Sequence, residues 1–117
     1  MSALHQLLAD FAGRVNGHPA LNKSLAGWSP SFFIEASDCG ERFEIRIVNG
    51  HVADVRLSAD QPGEQSLLLR ARADVLDRVF SGRLSPLGAY TDGQLEVYGA
   101  QKDQIKLDVI ALVLWGA

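Results

Sequence analysis

A chain of 117 residues is long enough for one domain around a single core, spanning residues 1–117, and too short for two. An apolar share of 47% and a charged share of 21% exclude a disordered tail or a fibrous array, because enough side chains are available to bury. With 14 acidic against 11 basic residues, the net charge of −3 provides no basic field to attract phosphate backbones, which excludes nucleic acid as a partner.

In the first segment Leu4, Leu7, Leu8, Phe11, Ala12 and Val15 recur at spacings of three and four, which predicts an amphipathic helix with Ser2 as its cap and Gly17 as its stop. Asp10 and Arg14 interrupt the unbroken apolar run that a secretory signal needs, so no export is expected. Pro19 opens a second, short helix that carries Leu21 and Leu25 and ends at Gly27.

From Ser31 the period changes to two. Phe32 and Ile34 alternate with Phe33 and Glu35, and Phe43, Ile45 and Ile47 alternate with Glu44 and Arg46. Asn49-Gly50 tolerates the positive backbone angles of a type I′ turn and leads into Ala53, Val55 and Leu57, alternating with Asp54 and Arg56. Residues 31–58 therefore read as a three-stranded meander. Pro62-Gly63 marks a loop, and residues 65–70 read as a fourth strand with Leu67 and Leu69 on one face and Leu68 on the other.

Val75, Leu76, Val79 and Phe80 form the apolar stripe of the next helix, with Asp74 and Asp77 early in it and Gly82 at its end. Ser85-Pro86 is a cap and first-turn pair for a short helix through Tyr90. Leu95 and Val97 alternate with Gln94, Glu96 and Tyr98 as a fifth strand. The last segment, from about Asp103 to Trp115, begins amphipathic and becomes apolar all round, which predicts burial on more than one side. Its apolar stretch of seven residues, Val109 to Trp115, falls far short of the roughly 20 needed to cross a bilayer. This order of elements predicts an α+β domain of two layers, with helices on one sheet face and Glu44, Arg46, Asp54, Arg56 and Glu96 on the open one.

The spacing Phe80-x-Gly82-x-Leu84-x-Pro86-x-x-Ala89-x-x-x-Gly93-x-Leu95-x-Val97-x-Gly99 resembles the signature of the sterol carrier protein 2 (SCP2) sterol-binding domain, and Trp28-x-Pro30 before the meander resembles its first half. The likeness covers nearly the whole chain. It implies a five-stranded, largely antiparallel sheet with helices packed on one face. Between sheet and helices it implies an apolar tunnel for a fatty acyl, acyl-CoA, sterol or isoprenoid tail. The sequence departs from sterol-carrier members where Gln94, Glu96 and Tyr98 replace the lysines common around the fifth strand, and where Trp115-Gly116-Ala117 replaces the peroxisomal tripeptide. As a stand-alone domain without that tripeptide it is similar to bacterial members, some of them accessory factors in ubiquinone biosynthesis or appended modules of larger enzymes.

On that resemblance the candidate lipid-binding residues are Phe11, Trp28, Val79, Phe80, Leu84, Tyr90, Leu107, Ile110, Ala111, Leu114 and Trp115. The same residue types also make ordinary core, and only geometry separates the two uses. Trp28 reads equally as a pocket wall or a structural plug, and Tyr90 and Tyr98 as amphipathic boundary residues.

Catalytic chemistry finds no foothold. His5, His18 and His51 lack the spacing of a zinc site and read as solvated; Cys39 is flanked by Asp38 and Glu41, which disfavour a thiolate. No nucleophile elbow or phosphate-cradling glycine loop is present, and Arg70, Arg72, Asp74, Asp77 and Arg78 read as a solvated helix face. A lone cysteine in the turn-like stretch Ser37-Asp38-Cys39-Gly40 fits a reducing, cytoplasmic location.

The expected function is non-catalytic lipid binding or transfer, with no cofactor and no metal. The alternative is an assembly or accessory module of a lipid or ubiquinone biosynthetic complex. A transient membrane contact and a homodimer or biosynthetic protein partner are compatible with either.

Overall fold

Five strands form one sheet in the order β3-β2-β1-β4-β5, namely β1 (Ser31–Ala36), β2 (Arg42–Val48), β3 (His51–Leu57), β4 (Leu67–Ala71) and β5 (Leu95–Tyr98). The computed structural model describes residues 2–116, and its helices are α1 (Ala3–Asn16), α2 (Pro19–Ser24), α3 (Ala73–Phe80), α4 (Pro86–Thr91) and α5 (Gln101–Trp115). Neighbouring strands are antiparallel except β1 and β4, which run parallel in the middle of the sheet.

The predicted meander is present as β1-β2-β3. Its second turn consists of Asn49 and Gly50 at φ 51° and 77°, the two positive angles that a type I′ hairpin demands. Ser2 caps α1, its Oγ accepting the His5 N–H at 3.1 Å, and Ser85 caps α4 by accepting the Gly88 N–H at 3.3 Å.

Several expectations need correction. The fourth strand starts at Leu67 because Ser66 closes the preceding loop: its N–H donates to the Gly63 carbonyl and its Oγ accepts the Gly63 N–H, both at 3.0 Å. The last helix starts at Gln101, where the Ala100 carbonyl accepts the N–H groups of Asp103 and Gln104. In β3, Arg46 pairs with Asp54 but Ile47 pairs with Val52, so Ala53 is a bulged residue without an opposite number. The bulge turns Val52 into the core in place of Ala53. The Asn16 side chain holds the bulge from outside, its Oδ1 accepting the Val52 N–H at 2.8 Å and its Nδ2 donating to the Val52 carbonyl at 2.9 Å. An edge strand is thereby closed to further pairing at this point.

His5 is not solvated. Its Nε2 lies 2.9 Å from the Val55 carbonyl oxygen, and its ring packs 5.2 Å from that of Phe43, because α1 lies along β3. Arg70 stands on β4 rather than on a helix, in a row of cross-strand ion pairs on the open face. Arg42 to Glu35 spans 2.5 Å, Glu35 to Arg70 2.7 Å and Arg70 to Glu96 3.8 Å, each joining residues in register. Such pairs contribute at most about 1 kcal/mol each, so their main effect is to oppose a register slip. In the next row of the same face Phe33 is buried, with Glu44 and Leu68 opposite it on the neighbouring strands.

The core lies on the other sheet face, where Phe32, Ile34, Phe43, Ile45, Leu67 and Leu69 meet the buried sides of the helices. The outer side of α5 departs from expectation. Ile110 and Ala111 are buried, but Ile105 and Leu112 are 52% and 62% exposed, because no described element lies over that side. No described helix is long and apolar enough to cross a membrane.

Candidate functional site

Between the helical layer and the second half of the sheet lies a cavity of about 210 Å³. Period-two geometry places Phe32 of β1, Leu69 of β4, and Leu95 and Val97 of β5 on its floor. Val79 and Phe80 come from α3, and Pro86, Leu87 and Tyr90 from α4. On α5 the spacing 104, 107, 108, 111, 115 is one helical stripe, so Gln104, Leu107, Asp108, Ala111 and Trp115 face the same space, with Ile110 beside them.

An aromatic cluster closes one end. Phe11 meets Phe80 edge to face at 5.1 Å and stacks on Trp115 at 5.9 Å, while Phe80 and Trp115 meet at 85° and 5.8 Å. Trp115 also rests on Gly82, where a Cβ would come within 3.1 Å of the indole; with φ at 78°, that position suits glycine alone. The other end is wetter, with Leu87 and Tyr90 69% and 54% exposed and Asp108 also at the surface. The lining is thus mostly apolar with few polar groups, among them the Trp115 Nε1, buried in the aromatic cluster with no hydrogen-bond partner among the described residues, and it suits a ligand with a long apolar part and a small polar end.

Of the residues singled out in the sequence, Phe11, Val79, Phe80, Tyr90, Leu107, Ile110, Ala111 and Trp115 line this cavity. Leu84 and Leu114 do not; they are half-buried and pack against the core. Trp28 is elsewhere, walling a shallow groove with Asp103, Lys102 and Lys106, where its ring acts as a plug beneath α5. The strand residues of the floor were legible as inward-facing but not as cavity-lining, since nothing local marks where packing leaves a gap. Gln104 and Asp108 share the helical stripe of Leu107 and Ala111, and that spacing is the sequence signal that places them here.

The described residues place no three His, Cys, Asp or Glu side chains together as a metal site. Cys39 is exposed, its Sγ 4.0 Å from a Glu41 oxygen, and lies outside the cavity.

No family model and no curated protein sequence matches the chain. Solved structures do. A crystal structure of sterol carrier protein 2 superposes with a TM-score of 0.66 over 97% of this chain and 94% of its own, at 17% identity. The solution structure of palmitated SCP2L2 from Aedes aegypti gives 0.64 over 94% and 95%, at 15% identity. A structure described as UbiJ-SCP2, a ubiquinone synthesis protein, gives 0.63 over 94% and 93%, at 14% identity. These identities speak to architecture, and in its mixed five-stranded sheet and helical layer the chain has the fold of the SCP2 domain.

Proposed function

We propose that the protein binds the apolar tail of a lipid, without catalysis, in the cavity between the sheet and α3–α5. The observation that carries this reading is the lining of one cavity: aromatic and aliphatic side chains from Phe11 and Phe80 to Ala111, with Tyr90, Gln104, Asp108 and the buried Nε1 of Trp115 as its few polar groups. That one of the similar structures is of a palmitated protein supports a long apolar tail as the part that is buried.

Magnitudes refine the proposal. At about 30 Å³ per group the cavity takes about seven methylenes, and at about 0.8 kcal/mol each their burial contributes roughly 5–6 kcal/mol. Micromolar affinity requires about 8 kcal/mol net of association costs, so a long chain must also engage the exposed Leu87 and Tyr90 or widen the cavity.

The test is saturable binding of Nile red, a neutral apolar dye, together with native mass spectrometry for a co-purified lipid. Ala111→Phe places a ring in the cavity and is expected to weaken dye binding by at least about tenfold while the thermal midpoint changes little. Unaltered binding in this variant would remove the cavity from consideration.

A second reading, an accessory module of a lipid or ubiquinone biosynthetic complex, is supported by the likeness to the UbiJ structure and by the exposed Ile105 and Leu112 on α5. It takes the lead if no acyl, sterol or isoprenoid probe gives a saturable signal.

A further inference from the structure

The mouth of the cavity has a chemical sign. Asp108 is the one charged residue among those lining it, and none of them is basic. Asp108 is exposed and forms no ion pair among the described residues.

The cations carried near α5 are directed elsewhere. The Lys106 ammonium donates to the Ser24 carbonyl at 2.8 Å, on the side of the Trp28 groove that Lys102 also lines. Arg14 donates to the Leu114 carbonyl at 3.0 Å, and Arg83 to Ser81 Oγ at 2.9 Å.

The second polar group at the mouth, Gln104, is oriented by its own hydrogen bond. Its side chain lies 2.9 Å from the Gly99 carbonyl oxygen, which can only accept, so the amide nitrogen must face it and the amide oxygen is left as the free end. An ionised carboxylate is likewise acceptor-only. Gln104 and Asp108 therefore both ask for a donor, and Tyr90 can serve in either role.

We infer that this mouth selects lipids whose polar end is a hydrogen-bond donor without negative charge, a hydroxyl or an amine, over lipids that end in a carboxylate or phosphate. The inference rests on the lipid-binding reading above and names its ligand class. A hydroxyl seated between Gln104 and Asp108 donates to one of them and loses nothing to repulsion. A carboxylate in the same place offers no donor and meets a like charge. At a protein surface that repulsion alone is worth a factor of about ten for groups near contact.

The experiment compares dodecanol, dodecylamine and dodecanoate in displacing Nile red, at neutral pH and low ionic strength, so that chain length is held constant. Dodecanol and dodecylamine are expected to displace the dye at least about tenfold more tightly than dodecanoate. In Asp108→Asn the gap is expected to narrow to about threefold, and in Asp108→Lys dodecanoate is expected to become the tightest of the three. Asp108 is exposed, so these variants should fold, which circular dichroism checks. Equal affinity for dodecanol and dodecanoate, or a preference that Asp108→Lys does not change, overturns the selectivity and leaves lipid binding standing. Nile red that binds but is displaced by none of the three overturns it too. If neither Nile red nor any of the three chains binds, both readings fall.

Discussion

The indole nitrogen of Trp28 donates a 2.8 Å hydrogen bond to Oδ1 of Asp103, and both side chains are buried. The Trp28 carbonyl accepts the Gly50 N–H, also at 2.8 Å, so one residue ties the β2–β3 turn to the first turn of α5. Asp103 also meets the positive end of that helix. Trp28→Phe keeps most of the ring volume but removes the donor to a buried carboxylate. It is expected to cost about 1.5–3 kcal/mol in urea unfolding, and Asp103→Asn, which retains an acceptor oxygen, less. In the double variant Trp28→Phe/Asp103→Ala the two losses should not add, since either change alone already breaks the same bond. Additive losses would show that the hydrogen bond contributes nothing of its own.

Gly50 is the position in the meander least able to change. Its φ is 77°, and a Cβ would lie 2.7 Å from the carbonyl carbon of Leu25. Gly50→Ala is expected to cost at least about 1–3 kcal/mol, the strain term alone, with clash added. Gly63→Ala makes a matched control: the nearest atom to its Cβ is Ser66 Oγ at an ordinary 3.7 Å, and the change should be neutral or stabilise by about 0.4–1 kcal/mol. Equal unfolding midpoints for the two variants would refute the tight approach of the turn to Leu25.

Asp38 caps a helix that is distant in sequence. Its Oδ1 accepts the N–H of Ala73, the first residue of α3, at 2.9 Å, whereas Arg72 at the N-cap supplies no side-chain cap. This bond holds the Asp38 carboxyl below the ordinary carboxylate range, with partial desolvation opposing it and Arg72 adding attraction. A lowered folded-state value favours the ionised form in the native protein. The contribution is therefore fully present above the ordinary carboxylate range and is lost as pH falls through the lowered value. Thermal midpoints of wild type and Asp38→Asn should differ at neutral pH and converge in acid. A difference independent of pH would mean that the charge of Asp38 is not what matters.

What the sequence made legible follows the range of the interaction concerned. The Asn49-Gly50 turn and the Ser2 and Ser85 caps depend on residues within a few positions, and they stand where the local pattern put them. The parallel neighbourhood of β1 and β4 depends on pairing Phe32 with Leu67 and could not be seen locally; the SCP2 resemblance supplied the sheet, but no register. The bulge at Ala53 escaped because strict alternation gave it no reason to exist; its reason is the Asn16 side chain on another element. The same limit applies at the site. The stripe on α5 was legible, but Trp28 could be separated from the cavity only by its bond to a residue 75 positions away.

The parallel seam also has a kinetic consequence. It divides the sheet into two runs of chain, residues 31–57 and 67–98, and each residue pair across it is separated by 35 positions. The β2–β3 hairpin closes through a two-residue turn, so the first run meets the smaller loop-closure penalty and should order before the second docks. We expect Ile45→Val, in β2, to slow folding and Leu95→Ala, in β5, chiefly to speed unfolding, as read from stopped-flow chevron plots. The reverse assignment would place nucleation in the second run. Half of the residues around the cavity, from Leu69 and Phe80 to Val97, belong to the run that orders last. A bound chain should therefore lengthen the lifetime of the native state without hastening its formation.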